Sequence, residues 1–233
     1  MKVVILAGGH GTRIAEYTKN IPKPMVKIGE VPMLTHIMRI FSSFGFNNFI
    51  IAAGYKKEII IDYYKGSKEF PNLQIVDTGE NTMTGGRILK LKPYFNENEN
   101  FFMTYGDGIS NVNLDKLTDF HKKHGKIATL TAVRPLPRFG NITLSGDKII
   151  EFKEKDALQA GWINGGFFIL NKKVFDYISD KNDCVFEREP LQNLSKDGQL
   201  MAFKHEGFWH PMDTLRDKNH LNSLYNKQQI PWL

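Results

Sequence analysis

Apolar runs alternate with amphipathic segments along the first half of the chain. Short apolar runs that end at glycine or polar residues are typical of buried strands, whereas apolar positions three and four residues apart predict helices. We predict strands at Lys2–Ala7, Phe49–Ala53, Leu73–Val76, Phe101–Tyr105 and Ile127–Val133. We predict helices at Pro32–Phe44, Lys56–Tyr64 and Leu114–His124. This alternation favours a mostly parallel sheet covered by helices.

The second half of the chain has a different pattern, in which short apolar segments are joined by short turns. We predict further strands at Asn141–Leu144, Lys148–Phe152, Trp162–Leu170 and Leu200–Phe203. Thr214 and Asp217 have the spacing of a capping box, which predicts a last helix from Thr214 to about Lys227. The predicted fold class is therefore α/β, a Rossmann-like mixed sheet with small antiparallel additions. We expect a single domain over residues 1–233, since no repeat or low-complexity linker is visible.

Composition and charge narrow the class of protein without identifying it. Lys and Arg number 31 against 25 Asp and Glu, a net charge of +6. The basic residues are scattered and no nucleic-acid-binding motif is recognised, so we expect anionic small ligands rather than nucleic acid. No apolar run approaches the roughly 18 residues of a membrane helix, so no membrane association is expected. The single cysteine, Cys184, fits a reducing, cytoplasmic location.

The segment after the first predicted strand, Leu6-Ala7-Gly8-Gly9-His10-Gly11-Thr12-Arg13, is the most informative part of the sequence. Glycines let the backbone approach a phosphate and present N–H groups to it. Arg13 adds a permanent charge that can make two hydrogen bonds to a phosphate. The residues after Gly11 do not fit a Walker A loop, and Ile14 replaces the third glycine of the dinucleotide fingerprint found in Rossmann-type dehydrogenases. The segment therefore predicts a different phosphate site, with a ligand-free glycine turn as the alternative.

Pro22-Lys23-Pro24-Met25 adds a lysine between two prolines. The prolines hold Lys23 in an extended segment of low conformational entropy, although a solvated surface lysine is the alternative in isolation. Together, the glycine loop that ends in Thr-Arg and the Pro-Lys-Pro segment resemble the sugar nucleotidyltransferase family. The resemblance implies that the loop wraps a nucleoside triphosphate and that Arg13 and Lys23 contact its phosphates.

Two aspartates far apart in the sequence are candidate metal ligands. Asp107 follows a predicted strand between two glycines, and Asp213 precedes the last predicted helix. Carboxylates suit Mg²⁺, which prefers oxygen ligands and usually keeps several waters. A turn role for Asp107 and a capping role for Asp213 are the alternatives. The family resemblance implies that both aspartates hold one Mg²⁺ on the triphosphate.

The acceptor site is predicted from two further segments. Glu154 and Lys155 resemble a Glu-Lys motif that contacts the acceptor in the family, although a Glu-Lys pair is usually a surface pair. The run Asn164-Gly165-Gly166 resembles the family's Asn-Gly-Gly strand and implies that Asn164 and Gly165 border the acceptor. With Arg13 and Lys23, Lys155 completes the implied catalytic set.

A second glycine pair, in Met83-Thr84-Gly85-Gly86-Arg87, resembles the segment that closes over the base. The resemblance implies that backbone groups and a side chain such as Arg87 recognise cytosine. The implied nucleotide-binding residues are Leu6, Ala7, Gly8, Gly9, Gly11, Thr12, Arg13, Lys23, Thr84, Gly85, Arg87 and Gly106. The order of the motifs resembles the glucose-1-phosphate cytidylyltransferase branch of the family, which implies CTP as the nucleotide.

One departure from that branch changes the expected acceptor. The branch has a long insertion before the third strand, whereas here only residues 65–72 connect Tyr64 to Leu73. The insertion helps to enclose a hexose, so its absence favours a smaller phosphorylated polyol, glycerol 2-phosphate, over glucose 1-phosphate.

The expected function is that of a magnesium-dependent cytidylyltransferase. It would join the CMP part of CTP to the phosphorylated acceptor, release pyrophosphate and supply a precursor for capsule polysaccharide. The alternative from another class is a non-catalytic, nucleotide-binding regulatory subunit, which the presence of Arg13, Lys23 and both aspartates disfavours. The sequence leaves open whether the chain forms a homo-oligomer.

Overall fold

The computed structural model describes residues 1–135, 141–153 and 161–233. Within these ranges the strands are β1 (Val3–Ala7), β2 (Lys27–Ile28), β3 (Val31–Pro32), β4 (Phe49–Ala53), β5 (Leu73–Asp77), β6 (Asn100–Tyr105), β7 (Gly108–Ser110), β8 (Ala128–Val133), β9 (Asn141–Ser145), β10 (Lys148–Lys153), β11 (Ile163–Asn164), β12 (Phe168–Asn171), β13 (Leu200–His205) and β14 (Trp209–Pro211). The helices are α1 (Ala15–Thr18), α2 (Met33–Ser43), α3 (Lys57–Tyr64), α4 (Thr84–Leu89), α5 (Leu114–His124), α6 (Glu189–Lys196) and α7 (Leu215–Asn226). None of these described helices is long and apolar enough to cross a membrane.

In the described part of the chain, eight strands form one mixed sheet. Its order is β11-β8-β12-β6-β1-β4-β5, and β13 pairs with β8. The strands β5, β4, β1, β6, β8 and β13 share one direction, whereas β12 and β11 run antiparallel to their neighbours. Three antiparallel strand pairs, β2–β3, β7–β14 and β9–β10, form separate two-stranded sheets. The predicted fold class is confirmed.

The sheet separates two apolar layers. Successive side chains of a strand point to opposite faces, so Val3 and Ile5 lie in one layer and Val4 and Leu6 in the other. The first layer contains apolar side chains of α2, α3, α5 and α7, and the second contains those of α4 and α6. Because helices cover both faces of β1, its sequence is apolar at every position.

The predicted strand Trp162–Leu170 is wrong as a single element. The chain forms β11 and β12 with a break between them, where Gly166 and Phe167 adopt left-handed conformations with φ of 76° and 47°. β11 pairs with the carboxyl end of β8, whereas β12 pairs with β6 and with the start of β8. The break therefore places Asn164 at the edge of the sheet where ligands bind in open α/β folds.

The helix α4 was not predicted, because Gly85 and Gly86 disfavour helices. Tertiary packing overrides this preference. A Cβ added at Gly85 would lie 2.6 Å from Cys184 Sγ, and one at Gly86 would lie 2.9 Å from the carbonyl oxygen of Lys181. The two glycines thus let α4 pack directly against the segment 181–184.

A histidine pair lies under β8. Nδ1 of His121 is 2.8 Å and Nε2 of His124 is 2.7 Å from the same hydroxyl oxygen, Thr129 Oγ1. Burial, together with repulsion from His124, lowers the pKa of His121 to about 4. Both imidazoles are therefore neutral in the folded protein near pH 7.

We expect the free energy of unfolding to fall as the pH drops from 6.5 to 4. Histidine in the unfolded chain has a pKa of about 6.5, so below that pH the unfolded state binds a proton that folded His121 does not. His121 alone lowers the free energy of unfolding by at most about 3 kcal/mol over this range. The free energy of unfolding is measured by urea titration at several pH values. His121→Asn should flatten the pH dependence, whereas His10→Gln, at an exposed histidine, should not. Equal pH dependence in the His121 variant and the unaltered protein would contradict this assignment.

Candidate active site

A cavity of about 570 Å³ opens at the carboxyl ends of β1 and β6. In open α/β sheets ligands bind at this edge. Most of the residues predicted from the sequence line the cavity: Leu6, Ala7, Gly8, Gly9, Gly11, Thr12, Lys23, Thr84, Arg87, Gly106, Asp107, Asn164 and Asp213. The fold thus brings the glycine loop, the lysine, both aspartates and the predicted acceptor residue Asn164 to one place.

The glycine loop is held by a buried arginine. Arg87 Nη2 donates to the carbonyl oxygen of Gly8 at 2.7 Å, and Nη1 donates to Thr78 Oγ1 at 2.6 Å and to the carbonyl oxygens of Gly79 and Ala53 at 2.9 and 3.1 Å. A Cβ at Gly8 would overlap the guanidinium, so only glycine permits this approach. Burial lowers the pKa of Arg87, but the guanidinium stays charged.

This geometry favours a structural role for Arg87 over the predicted contact with the base. The side chain borders the cavity, but both of its terminal nitrogens already donate to the protein, so few donors remain for a base. We therefore interpret Arg87 as the residue that positions the glycine loop. Gly85 likewise packs against Cys184 and is not among the cavity-lining residues.

The two aspartates and Lys23 form the charged centre of the cavity. The Lys23 ammonium lies 2.6 Å from Asp107 Oδ2 and 2.7 Å from Asp213 Oδ1. Lys23 is 6% exposed, and its stem packs beside Gly11, where an added Cβ would lie 2.8 Å from Lys23 Cβ. The predicted extended conformation is wrong, because Lys23 begins the 3₁₀ turn Lys23–Met25. The burial of the side chain excludes the alternative of a solvated surface lysine.

An antiparallel pair of strands brings the two aspartates together. Asp107 immediately precedes β7 and Asp213 follows β14, and these strands pair in antiparallel fashion. The N–H of Met212 donates to the carbonyl oxygen of Asp107 at 2.8 Å, which fixes the two chain segments side by side. Antiparallel pairing therefore brings together carboxylates that are far apart in the sequence.

Asp213 is not the cap of α7. The capping box is formed by Thr214 and Asp217, as predicted, and Asp217 Oδ2 also accepts the backbone N–H of Asp213 at 3.0 Å. The side chain of Asp213 is thereby left to face Lys23. This excludes the capping alternative for Asp213 and shows what holds its backbone in place.

The donor set at this centre fits Mg²⁺. Asp107 and Asp213 direct carboxylate oxygens at one cationic position, which the Lys23 ammonium occupies in this structure. In the described ranges, no group of three or more His, Cys, Asp or Glu side chains is arranged to hold a metal. Mg²⁺ is commonly bound by one or two carboxylates together with substrate phosphates and waters. Two aspartates beside the glycine loop fit that description.

The opposite wall of the cavity contains Asn164 and two aromatic residues. Asn164 Nδ2 donates to the Tyr105 hydroxyl at 3.2 Å, and Asn164 Oδ1 accepts the N–H of Gly166 at 2.9 Å. Trp209 Nε1 donates to the carbonyl oxygen of Gly165 at 2.8 Å. Gly165 itself is not among the lining residues, and an added Cβ there would lie 2.7 Å from Val133 Cγ1. Gly165 therefore serves close packing beneath this wall.

Glu187 is the main cavity residue that the sequence analysis missed. Its two carboxylate oxygens accept hydrogen bonds from the Tyr105 hydroxyl and from Thr84 Oγ1, each at 2.6 Å. In the sequence Glu187 stands beside Arg188 and Glu189, which is typical of a solvated helix start. Burial and the charge of Glu187 raise the pKa of Tyr105, so its hydroxyl remains a donor. No local signal distinguishes Glu187 from its neighbours.

Three predicted residues are not placed at the cavity by the structure. The Arg13 backbone belongs to the 3₁₀ turn Thr12–Ile14, and its side chain lies outside the described part of the structure. Glu154 and Lys155 lie outside the described residues. The catalytic roles of Arg13 and Lys155, and the acceptor contact of Glu154, stay predictions.

Comparison with known proteins identifies the family. Residues 2–223 match the Nucleotidyl transferase family model. The chain belongs to the nucleotidyl transferase family. A glucose-1-phosphate cytidylyltransferase of Salmonella typhi is 44% identical over 254 aligned positions, which cover 100% of this chain and 98% of that protein. A probable glucose-1-phosphate cytidylyltransferase of Bacillus subtilis (strain 168) is 40% identical over 253 positions, which cover 100% and 99% of the two chains.

A solved structure supports the same assignment for this nucleotidyl transferase. HddC from Yersinia pseudotuberculosis is 27% identical and superimposes with a TM-score of 0.76, covering 96% of this chain and 99% of that one. The predicted family resemblance and the predicted enzyme class, a nucleotidyltransferase, are confirmed. The alignment with the Salmonella typhi protein has 254 positions and this chain has 233 residues, so that relative contains residues with no counterpart here.

Proposed function

We propose that this nucleotidyltransferase transfers CMP from CTP to glucose 1-phosphate and releases pyrophosphate. The observation that carries the chemistry is the convergence of Lys23, Asp107 and Asp213 beside a glycine loop at one cavity. The full-length similarity to two glucose-1-phosphate cytidylyltransferases supports the choice of CTP and of a hexose phosphate.

The proposed reaction is a direct displacement. A phosphate oxygen of the acceptor forms a bond to the α-phosphorus of CTP, and the bond from that phosphorus to the oxygen that bridges the α- and β-phosphates breaks. Phosphate is largely ionised at neutral pH, so no protein base has to remove a proton.

The residues of the chain supply charge and position. N–H groups of the glycine loop and the Lys23 ammonium would bind phosphate oxygens, which offsets the repulsion between two anionic substrates. Asp107 and Asp213 would hold Mg²⁺, which supplies further neutralisation of the triphosphate charge when bound. Arg87 holds the glycine loop in place, and Asp217 holds the backbone of Asp213. Fixed in this way, the two segments would align the substrates.

A second acceptor, glycerol 2-phosphate, is the one favoured by the sequence analysis. The supporting observation is the short connection of residues 65–72 between α3 and β5, in a chain shorter than its alignment with the Salmonella typhi relative. A three-carbon acceptor needs fewer enclosing walls than a hexose. The names of the relatives support glucose 1-phosphate, which we therefore place first.

The proposal predicts a specific pattern of pyrophosphate release. The protein is incubated with Mg²⁺, one of CTP, UTP, dTTP or GTP, and one of glucose 1-phosphate, glycerol 2-phosphate or glycerol 3-phosphate. We expect CTP with glucose 1-phosphate to give a kcat/KM about tenfold or more above every other pair, because polar contacts discriminate strongly between bases. Equal turnover of dTTP would overturn the nucleotide assignment. A clear preference for glycerol 2-phosphate would replace the acceptor and leave the reaction type intact.

A further inference from the structure

The carboxylate of Glu187 is the end point of two directed chains of hydrogen bonds. The N–H of Phe186 donates to Thr84 Oγ1 at 2.9 Å, so the single hydroxyl proton of Thr84 is directed at Glu187 Oε2. Asn164 Nδ2 donates to the Tyr105 hydroxyl, so the phenol proton is directed at Glu187 Oε1. The orientation of the Asn164 amide is itself fixed by the N–H of Gly166. Both Glu187 oxygens therefore act as hydrogen-bond acceptors.

This carboxylate has unused acceptor capacity inside the cavity. Each carboxylate oxygen can accept about two hydrogen bonds, and each Glu187 oxygen receives one. Within the described ranges, no cation lies at ion-pair distance from Glu187, although the side chain is only partly exposed and lines the cavity. A partly buried carboxylate without an ion-pair partner is stabilised by further hydrogen-bond donors, which a ligand in the cavity can supply. Glu187 is thus built to receive a hydrogen-bond donor from the ligand.

The charge of Glu187 restricts that donor to an uncharged part of a substrate. A negatively charged carboxylate would repel a phosphate group. A hydroxyl group is neutral, so it can donate a hydrogen bond to the carboxylate without charge repulsion. In the sheet, Tyr105 ends β6 and Asn164 lies on β11, on the side of β6 that is remote from β1 and its glycine loop. Because Glu187 and Asn164 hold the same phenol, a ligand that contacts one is within reach of the other.

We propose that Glu187 determines acceptor specificity by accepting a hydrogen bond from a hydroxyl group of the phosphorylated polyol. The proposal rests on the proposed function, since it names a contact to the acceptor of that reaction. Thr84 and Tyr105 orient the carboxylate, and Asn164 provides a second polar group on the same wall. The acceptor class is accordingly a phosphate ester that carries at least one free hydroxyl within reach of this wall.

The test compares acceptors that differ by one hydroxyl group. Steady-state kinetics are measured for the unaltered protein and for Glu187→Gln with glucose 1-phosphate and its 2-, 3-, 4- and 6-deoxy analogues, and with glycerol 2-phosphate and propane-1,2-diol 2-phosphate, which lacks one of its hydroxyls. In the unaltered protein, loss of the contacted hydroxyl should lower kcat/KM about 10- to 100-fold. In Glu187→Gln, kcat/KM for the complete acceptor should fall by a similar factor, and removal of that hydroxyl should then have little further effect.

Two controls separate recognition from folding. Glu189→Gln changes an exposed glutamate two residues away and should leave the kinetics unchanged. Tyr105→Phe keeps the ring but removes one donor to Glu187, and it should weaken the discrimination between complete and deoxy acceptors. The KM for CTP should stay within about twofold in Glu187→Gln, because the contact is made to the acceptor.

The outcomes separate this proposal from the proposed function. Failure of the unaltered protein to use CTP with any of the acceptors would overturn the proposed function, and with it a contact to its acceptor. Turnover by the unaltered protein with unchanged hydroxyl dependence in Glu187→Gln would overturn only the role of Glu187. A raised KM for CTP with unchanged acceptor kinetics would also overturn it, and would place the contact on the ribose or the base.

Discussion

Asp213→Asn and Asp107→Asn should each lower kcat about 10²- to 10³-fold without unfolding the protein. Each change removes one of the two carboxylates that converge on a single cationic position. The amide that replaces it is neutral, so it binds a divalent cation weakly and no longer pairs with Lys23. The backbone of Asp213 remains fixed by Asp217, which is why the effect should fall on kcat and on the Mg²⁺ dependence. The measurement is kcat as a function of Mg²⁺ concentration at saturating CTP and acceptor.

A matched control is available at an aspartate that is exposed to solvent. Asp115→Asn changes an exposed aspartate in the first turn of α5 and should leave kcat and the Mg²⁺ dependence unchanged. Thermal unfolding of all three variants tests whether the fold persists. Full activity in a folded Asp213→Asn protein would refute the assignment of Asp213 as a metal ligand.

The sequence predicts those parts of the fold that depend on local patterns. The strands β1 and β4 and the helices α2 and α5 were found within one residue of their ends, because each is an uninterrupted apolar run or a long amphipathic repeat. The division of Trp162–Leu170 was missed, because a left-handed Phe167 depends on packing that the sequence pattern does not contain. The helix α4 was missed for a similar reason, since its glycines are favoured by contacts with the segment 181–184.

Some residues of the candidate site could be predicted from local sequence motifs, and others could not. The glycine loop, Lys23 and the two aspartates carry recognisable motifs, and the structure places them around one cavity. Glu187 carries no motif, because its role depends on Tyr105 and Thr84, which reach it from distant elements. The single domain, the cytoplasmic location, the use in capsule polysaccharide synthesis and the oligomeric state stay predictions from the sequence.

Lys23 lies between the two aspartates, at the position predicted for the metal ion. The sequence predicts a lysine that contacts phosphates, whereas in the structure its ammonium bridges the two aspartates. One position between two carboxylates cannot hold both an ammonium group and a divalent cation. Binding of Mg²⁺ at that position would therefore require Lys23 to move, and its ammonium would then be free to bind the triphosphate. We expect Lys23 and the metal ion to compete in the nucleotide-free protein and to act together once CTP is bound.

Lys23→Met should therefore have two opposite effects. Loss of the phosphate contact should lower kcat/KM for CTP about 10²- to 10³-fold. Binding of Mn²⁺ to the nucleotide-free protein should instead tighten about tenfold or more, because the competing positive charge is gone while both carboxylates remain. Mn²⁺ affinity is measured by electron paramagnetic resonance or calorimetry without nucleotide, so this measurement does not depend on activity.

Stability provides an independent measure of the same competition. With a chelator present, Lys23→Met should unfold at lower urea concentration than the unaltered protein, since two neighbouring carboxylates have lost the buried cation between them. Added Mn²⁺ should restore its stability in proportion to the logarithm of the free metal concentration. Lys27→Met, at an exposed lysine nearby in the sequence, should show neither effect. If Lys23→Met binds Mn²⁺ no more tightly than the unaltered protein, the two aspartates do not form the metal site, and the ammonium that joins them is structural.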